Sequence, residues 1–139
     1  PSVLACGSKL IAGSASDMTW NIRDHGFSMT LSARVPALID QHLAGWLDDW
    51  LGRNGLSRDQ VRSWMIHPGG PRILDAARST LGLPSQATRV SLEVLSEYGN
   101  MSSATMVFLL RRLLDEGGPL PGVALGFGPG LTLEAVLLG

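Results

Sequence analysis

Apolar residues fall on one stripe from Val35 to Leu51: Val35, Leu38, Ile39, Leu43, Trp46, Leu47, Trp50 and Leu51, with Asp40, Gln41, Asp48 and Asp49 opposite. That spacing predicts an amphipathic helix. Pro36 is tolerated in its first turn, and Asn54-Gly55 is a C-terminal stop signal. Ahead of it, Trp20, Ile22, Phe27, Met29 and Leu31 alternate with polar residues. This is the period of a strand, broken near Gly26. Residues 1–17 are small and polar around Leu10 and Ile11, and read as an extended arm ahead of a domain spanning 18–139.

Ser57-Arg58-Asp59-Gln60 has the form of a capping box and predicts a short helical turn. Val61 to Ile66 reads as a strand. Helices are predicted over Pro71 to Leu81, Ala87 to Tyr98 and Ser102 to Leu114. In the last of these, Ala104 through Leu110 lacks a charge on any side, the pattern of a helix buried all round. Gly122–Phe127 and Leu131–Leu138 are nearly continuous in apolar residues, as strands covered on both faces are. Strand, helix, strand, helices and two strands predict an α/β layered domain, with a mixed sheet of about five strands and helices on both faces.

Composition narrows the function. The chain has 139 residues, 45% of them hydrophobic and 17% charged, a globular balance. Net charge is −1, so no bulk attraction to nucleic acid or an anionic membrane is expected. No apolar run is long enough to span a bilayer, and no signal-peptide pattern opens the chain. The expected compartment is the cytoplasm. The start at Pro1 reads as a processed chain or a piece of a longer one. A single cysteine, Cys6, rules out an intrachain disulfide. It lies among small residues, with no base or helix start to lower its pKa. No metal site is expected, because His25, His42 and His67 fit no ligand spacing. His25 reads as a surface turn residue and His42 as a packed one at the helix edge.

Glycine and proline cluster in two places. Nine of the fourteen residues from Gly117 to Gly130 are Gly or Pro, and Pro68-Gly69-Gly70-Pro71 forms a second knot. His67 precedes that knot at the end of a strand, where open α/β sheets place ligands. Its alternative is a turn histidine that caps a neighbour. Asn100, in Gly99-Asn100-Met101-Ser102, precedes the uncharged helix. Its amide is suited to donate to a developing oxyanion, and its alternative is an ordinary helix cap. Gly126-Phe127-Gly128-Pro129-Gly130 joins two strands. It fits neither the dinucleotide fingerprint nor the P-loop, and reads as a tight turn shaping a pocket wall.

These segments together resemble one family. Trp64-Met65-Ile66-His67-Pro68-Gly69-Gly70-Pro71-Arg72-Ile73-Leu74-Asp75 is similar to the histidine motif of type III polyketide synthases, the chalcone synthase family. Leu95-Ser96-Glu97-Tyr98-Gly99-Asn100-Met101-Ser102-Ser103-Ala104 is similar to its asparagine motif, and Gly126 through Glu134 to its C-terminal signature. The resemblance runs from about Trp20 to Gly139. It implies the C-terminal half of a thiolase-like fold, with the nucleophilic cysteine in an absent N-terminal half that Cys6 does not replace.

The resemblance implies that His67 and Asn100 are catalytic and hold the malonyl-CoA thioester oxygen during a decarboxylative Claisen condensation with a starter acyl-CoA. It places Trp20, Met29, Ser102, Gly126, Phe127, Gly128 and Pro129 at the substrate pocket, and Gly69, Gly70 and Arg72 toward CoA. No metal or bound cofactor is implied; acyl-CoA and malonyl-CoA are substrates. The expected partners are the missing half and a second copy, as a homodimer. The isolated chain is expected to be inactive and to self-associate. Ten arginines against one lysine, with Trp20 and Asp24-His25-Gly26, look more like bacterial members. Two alternatives stand beside this reading: a fragment of a fatty-acid initiation-type ketosynthase, which typically has Gln-Ala-Asn after its histidine, and a non-catalytic CoA-binding or assembly module.

Overall fold

A computed structural model describes all residues, Pro1–Gly139. Val3–Leu10 form a strand, β1, rather than a loose arm. It lies antiparallel to the last strand of the chain, with Ser8 opposite Glu134. The small residues have a packing reason. The Trp50 indole lies directly over Gly7, where a Cβ would collide with it, and its Nε1 donates to the Cys6 carbonyl at 3.3 Å. The domain boundary expected after residue 17 therefore disappears, because β1 is part of the sheet.

Met18–Arg23 (β2) and Gly26–Leu31 (β3) form a separate antiparallel ribbon. Its break falls at Asp24-His25, and His25 is exposed there. Register pairs Met18 with Leu31, Trp20 with Met29 and Ile22 with Phe27, so one face of the ribbon is apolar throughout.

Val35–Arg53 form α1, whose stripe is buried at Val35, Ile39, Leu43, Trp46, Leu47, Trp50 and Leu51. Trp46 and Trp50 stack, with ring centroids 6.4 Å apart. His42 is half-buried on this helix. The Ser57–Gln60 capping box is present on a short 3-10 turn at Arg58–Gln60. Ser63–Ile66 (β4), Pro71–Thr80 (α2), Arg89–Tyr98 (α3), Ala104–Asp115 (α4), Gly122–Gly128 (β5) and Thr132–Leu138 (β6) follow.

The main sheet has four strands in the order β1-β6-β5-β4. The fifth strand expected in it is accounted for by the separate ribbon. β4 runs parallel to β5; the other pairs are antiparallel. Alternation along the strands feeds two cores. Ile66, Val123, Leu125, Leu133 and Leu137 face the α1 and α2 layer. Met65, Leu138, Ala124 and Val136 face α3 and α4, with Val94 and Leu109. Each fully buried Leu or Ile contributes about 1.5–3 kcal/mol.

The helix α4 is not buried all round. Thr105 and Leu109 are its buried residues, while Val107 is 65% exposed and Phe108 and Leu114 are also exposed. On its uncharged outer side Phe108 meets the exposed Tyr98, with ring centroids 5.0 Å apart. Salt bridges clamp α3 to α4 on the polar side: Arg112 reaches Glu93 at 3.2 Å and Glu97 at 2.5 Å. The Arg112 hydrogen bond holds the Glu97 carboxyl below the usual carboxylate range.

Candidate functional site

Because β4 and β5 are parallel, their C-terminal ends lie together. His67 follows β4 directly, and its N–H donates to the Leu125 carbonyl at 2.8 Å. The chain then turns at once: the Gly69 N–H returns to the His67 carbonyl at 3.0 Å. Pro71 opens α2 at this same end. His67 thus stands at the carboxyl edge of the parallel strands, where such sheets bind ligands.

Asn100 arrives from the α3–α4 connection. It is not the cap of α4: the residue before that helix is Ser103, which makes no capping bond with its side chain. Instead the Asn100 side-chain oxygen accepts from the Ser102 N–H at 2.9 Å, and Nδ2 donates to the Gly69 carbonyl at 3.4 Å. The first bond closes a tight turn that holds Ser102 at φ 58, a left-handed conformation for a non-glycine residue. The Met101 N–H donates to buried Thr105 at 3.0 Å, which fixes the turn to α4.

His67, Gly69 and Asn100 line one cavity of about 350 Å³. Trp20, Met29, Ser102, Phe127, Gly128 and Pro129 line it too. One residue expected beside these, Gly126, lies elsewhere, and two of those expected toward CoA, Gly70 and Arg72, stand apart from the cavity. Gly126 sits within the sheet opposite Glu134 and does not reach the cavity. Gly70 and Arg72 border an adjoining hollow of about 530 Å³ at the start of α2. The separation has a backbone reason: Gly69 ends the histidine turn, Gly70 is the N-cap of α2, and Arg72 lies in its first turn.

The cavity also includes Met18, Leu31, Ile73, Ser103 and Met106, none of which the sequence singled out. Met18 and Leu31 carried a usable signal, since they share the apolar face of the ribbon with Trp20 and Met29. Ile73 and Met106 carried none beyond core spacing. The turn between β5 and β6 needs Gly130, whose φ is 102. Thr132 Oγ1 caps it by donating to the Pro129 carbonyl at 2.9 Å.

Chemically, the cavity is apolar walls around one imidazole and one carboxamide. Burial pushes the His67 imidazole below its ordinary pKa, so its uncharged form is favoured at neutral pH. Cys6 is exposed on β1 and does not line the cavity. No three His, Cys, Asp or Glu side chains converge as metal ligands do. No helix is long and apolar enough to cross a membrane.

Residues 3–139 match the family model for the C-terminal domain of chalcone and stilbene synthases. The chain belongs to this family. Its structure superposes on PKS-I from the brown alga Ectocarpus siliculosus with a TM-score of 0.93 at 34% identity, covering 98% of this chain and 38% of that one. It superposes on 1,3,6,8-tetrahydroxynaphthalene synthase from Streptomyces coelicolor A3(2), a bacterial type III polyketide synthase, with a TM-score of 0.88. Identity there is 37%, covering 98% of this chain and 40% of that one. The chain therefore spans about two fifths of the length of these synthases. It has the C-terminal, thiolase-like fold of the type III polyketide synthases.

Proposed function

We propose that this domain supplies the decarboxylation and chain-shaping part of a type III polyketide synthase. The observation that carries the reading is the cavity shared by His67, Asn100 and the Phe127–Pro129 segment at the end of β5. In the proposed reaction a cysteine from the rest of the parent enzyme holds the starter acyl group as a thioester. The His67 imidazole and the Asn100 amide bind the malonyl-CoA thioester oxygen. As the malonyl carboxylate leaves as carbon dioxide, the electron pair of the broken bond passes to that oxygen as an enolate. Two fixed donors stabilise this charge. The enolate carbon then attacks the acyl carbonyl, and the cysteine thiolate departs.

His67 supports two roles here. Uncharged, with a proton on the nitrogen facing the oxyanion, it donates. Beside a thiolate it gains a partner that favours the imidazolium, which in turn favours the thiolate. The burial that favours the uncharged form within this chain makes that charge dependent on the thiolate. Arg72 is exposed and makes no ion pair, so its guanidinium is available to a CoA phosphate at the hollow beside α2. Gly69 and Gly70 leave the backbone open there.

Trp20 and Met29 line the same cavity as Gly128 and Pro129 and are read as setting the size of the accepted chain. Apolar surface left exposed on α4 and on the ribbon, where Ile22 is 84% and Phe27 71% exposed, is read as the seat of the remaining part of the parent. A second parent copy is expected to complete a homodimer.

The test uses malonyl-CoA and a starter acyl-CoA. The isolated chain should form no condensation product, and the complete parent should form one. Steady condensation by the 139-residue chain would overturn the reading. Malonyl-CoA titrated calorimetrically into the isolated chain decides the competing reading of a free-standing CoA-binding module, which requires tight binding.

A further inference from the structure

Ser14 lies in the connection between β1 and β2, among exposed neighbours, yet is fully buried at 0% exposure. Its Oγ is 2.7 Å from the Ile11 carbonyl and 2.7 Å from the Gly130 carbonyl. One hydroxyl proton is thus shared between two acceptors. The same junction is tied by the backbone. The Ile11 N–H donates to the Leu131 carbonyl at 2.9 Å, and the Gly130 N–H to the Met18 carbonyl at 3.0 Å. Gly130 is therefore held on both sides, by Ser14 at its carbonyl and by Met18 at its N–H.

The two anchored segments both lead into the lining of the cavity. Met18 leads into Trp20 on the ribbon, and Gly130 follows Pro129 on the turn. The ribbon lies outside the main sheet, so no ladder ties it to that turn; the Gly130–Met18 backbone bond and the Ser14 hydroxyl bonds hold the junction. We propose that Ser14 is a positioning residue that sets the gap between the Trp20 wall and the Pro129 wall, and so the size of the apolar group the cavity admits. The size-selection part rests on the acyl-pocket reading above; the positioning part does not. A hydroxyl that merely satisfies its own burial would leave Trp20 undisturbed on removal.

Fluorotryptophan-labelled chain separates these outcomes, because its four tryptophans give distinct fluorine NMR signals, with Trp20 assigned by Trp20→Phe. Ser14→Ala should shift or broaden the Trp20 signal and leave those of Trp46, Trp50 and Trp64 in place. Ser14→Cys, nearly isosteric but a weak donor, should move it in the same direction, and it carries the test if Ser14→Ala does not fold. An unmoved Trp20 signal in a folded variant, or movement of all four signals together, would overturn the proposal. Straight-chain acyl-cysteamine thioesters of increasing length then probe size: the variant should accept a wider range than the native chain. Failure of every thioester to bind the native chain defeats the acyl-pocket reading and leaves the Trp20 result to decide the positioning role.

Discussion

Asn100 and His67 are joined through one residue. The Asn100 amide donates to the Gly69 carbonyl at 3.4 Å, and the Gly69 N–H donates to the His67 carbonyl at 3.0 Å. The first of these is long and therefore weak. An arriving oxyanion competes for the amide with little to displace. Asn100→Ala in the complete enzyme should lower malonyl-CoA decarboxylation by about a hundredfold or more, the usual loss for one oxyanion donor. Asn100→Asp, which keeps the shape and loses the donor, should do the same. Asn100→Asp keeps the acceptor for the Ser102 N–H, and Asn100 is exposed, so the melting temperature of that variant should barely move. Carbon dioxide release measured alongside a thermal melt checks both points.

The buried imidazole of His67 makes stability depend on pH. Its pKa in the folded chain lies below the ordinary value of 6.5. The unfolded chain therefore binds the proton more readily. The contribution of the uncharged group is fully present above 6.5 and falls away as pH drops through the lower folded value. Urea unfolding between pH 8 and pH 5 should show native stability declining at the acid end. His67→Gln should flatten that decline, and an unchanged slope would contradict it.

Helix α1, the capping box, β4 and the β5–β6 pair were legible because short-range periodicity and end signals specify them. The strand β1 was not. Its inward side is half-buried Ala5, Gly7 and Lys9, which carry no hydrophobic pattern, while Val3, Leu4 and Leu10 are exposed. Its partner β6 lies at the other end of the chain. The buried helix expected at residues 104–110 was misread for a related reason. A lack of charge does not by itself mark burial: Thr105 and Leu109 are buried, while Val107 and Phe108 are exposed. At the cavity, ribbon alternation already put Trp20 and Met29 on one face. The meeting of His67 with Asn100 depends on the order of strands and helices, which neither local sequence encodes; only the motif resemblance anticipated it.

Gly7 tests the place of β1 in the core. A side chain there enters the space of the Trp50 indole. Gly7→Val should displace the ring from α1 and destabilise the fold by about 1–3 kcal/mol, as overpacking does. Were residues 1–17 a free arm, the substitution would be silent in a urea titration.

The uncovered side of α4 has a consequence in solution. Val107, Phe108 and Leu114 are exposed together with Tyr98, whose ring lies 5.0 Å from that of Phe108. Contiguous apolar surface of this kind drives association. Light scattering on the isolated chain at micromolar concentration should show species larger than a monomer, and Val107→Glu should shift the distribution toward monomer. A monodisperse native monomer would count against it.

Trp20 tests the ribbon wall of the cavity. It lines the cavity while half of its surface stays open, and its ring meets Phe27 edge-on at 6.1 Å. The indole fills space without supporting either buried core. Trp20→Gly should therefore enlarge the cavity at small cost to stability. A purely structural tryptophan, by contrast, typically loses about 3–5 kcal/mol on truncation. In the complete enzyme the enlarged cavity should admit a longer starter or permit further extension. Product analysis by mass spectrometry, with a series of starter acyl-CoAs, reads this directly. A shifted product length with a nearly unchanged melting temperature identifies Trp20 as a wall of the pocket; an unchanged product profile removes it from that role.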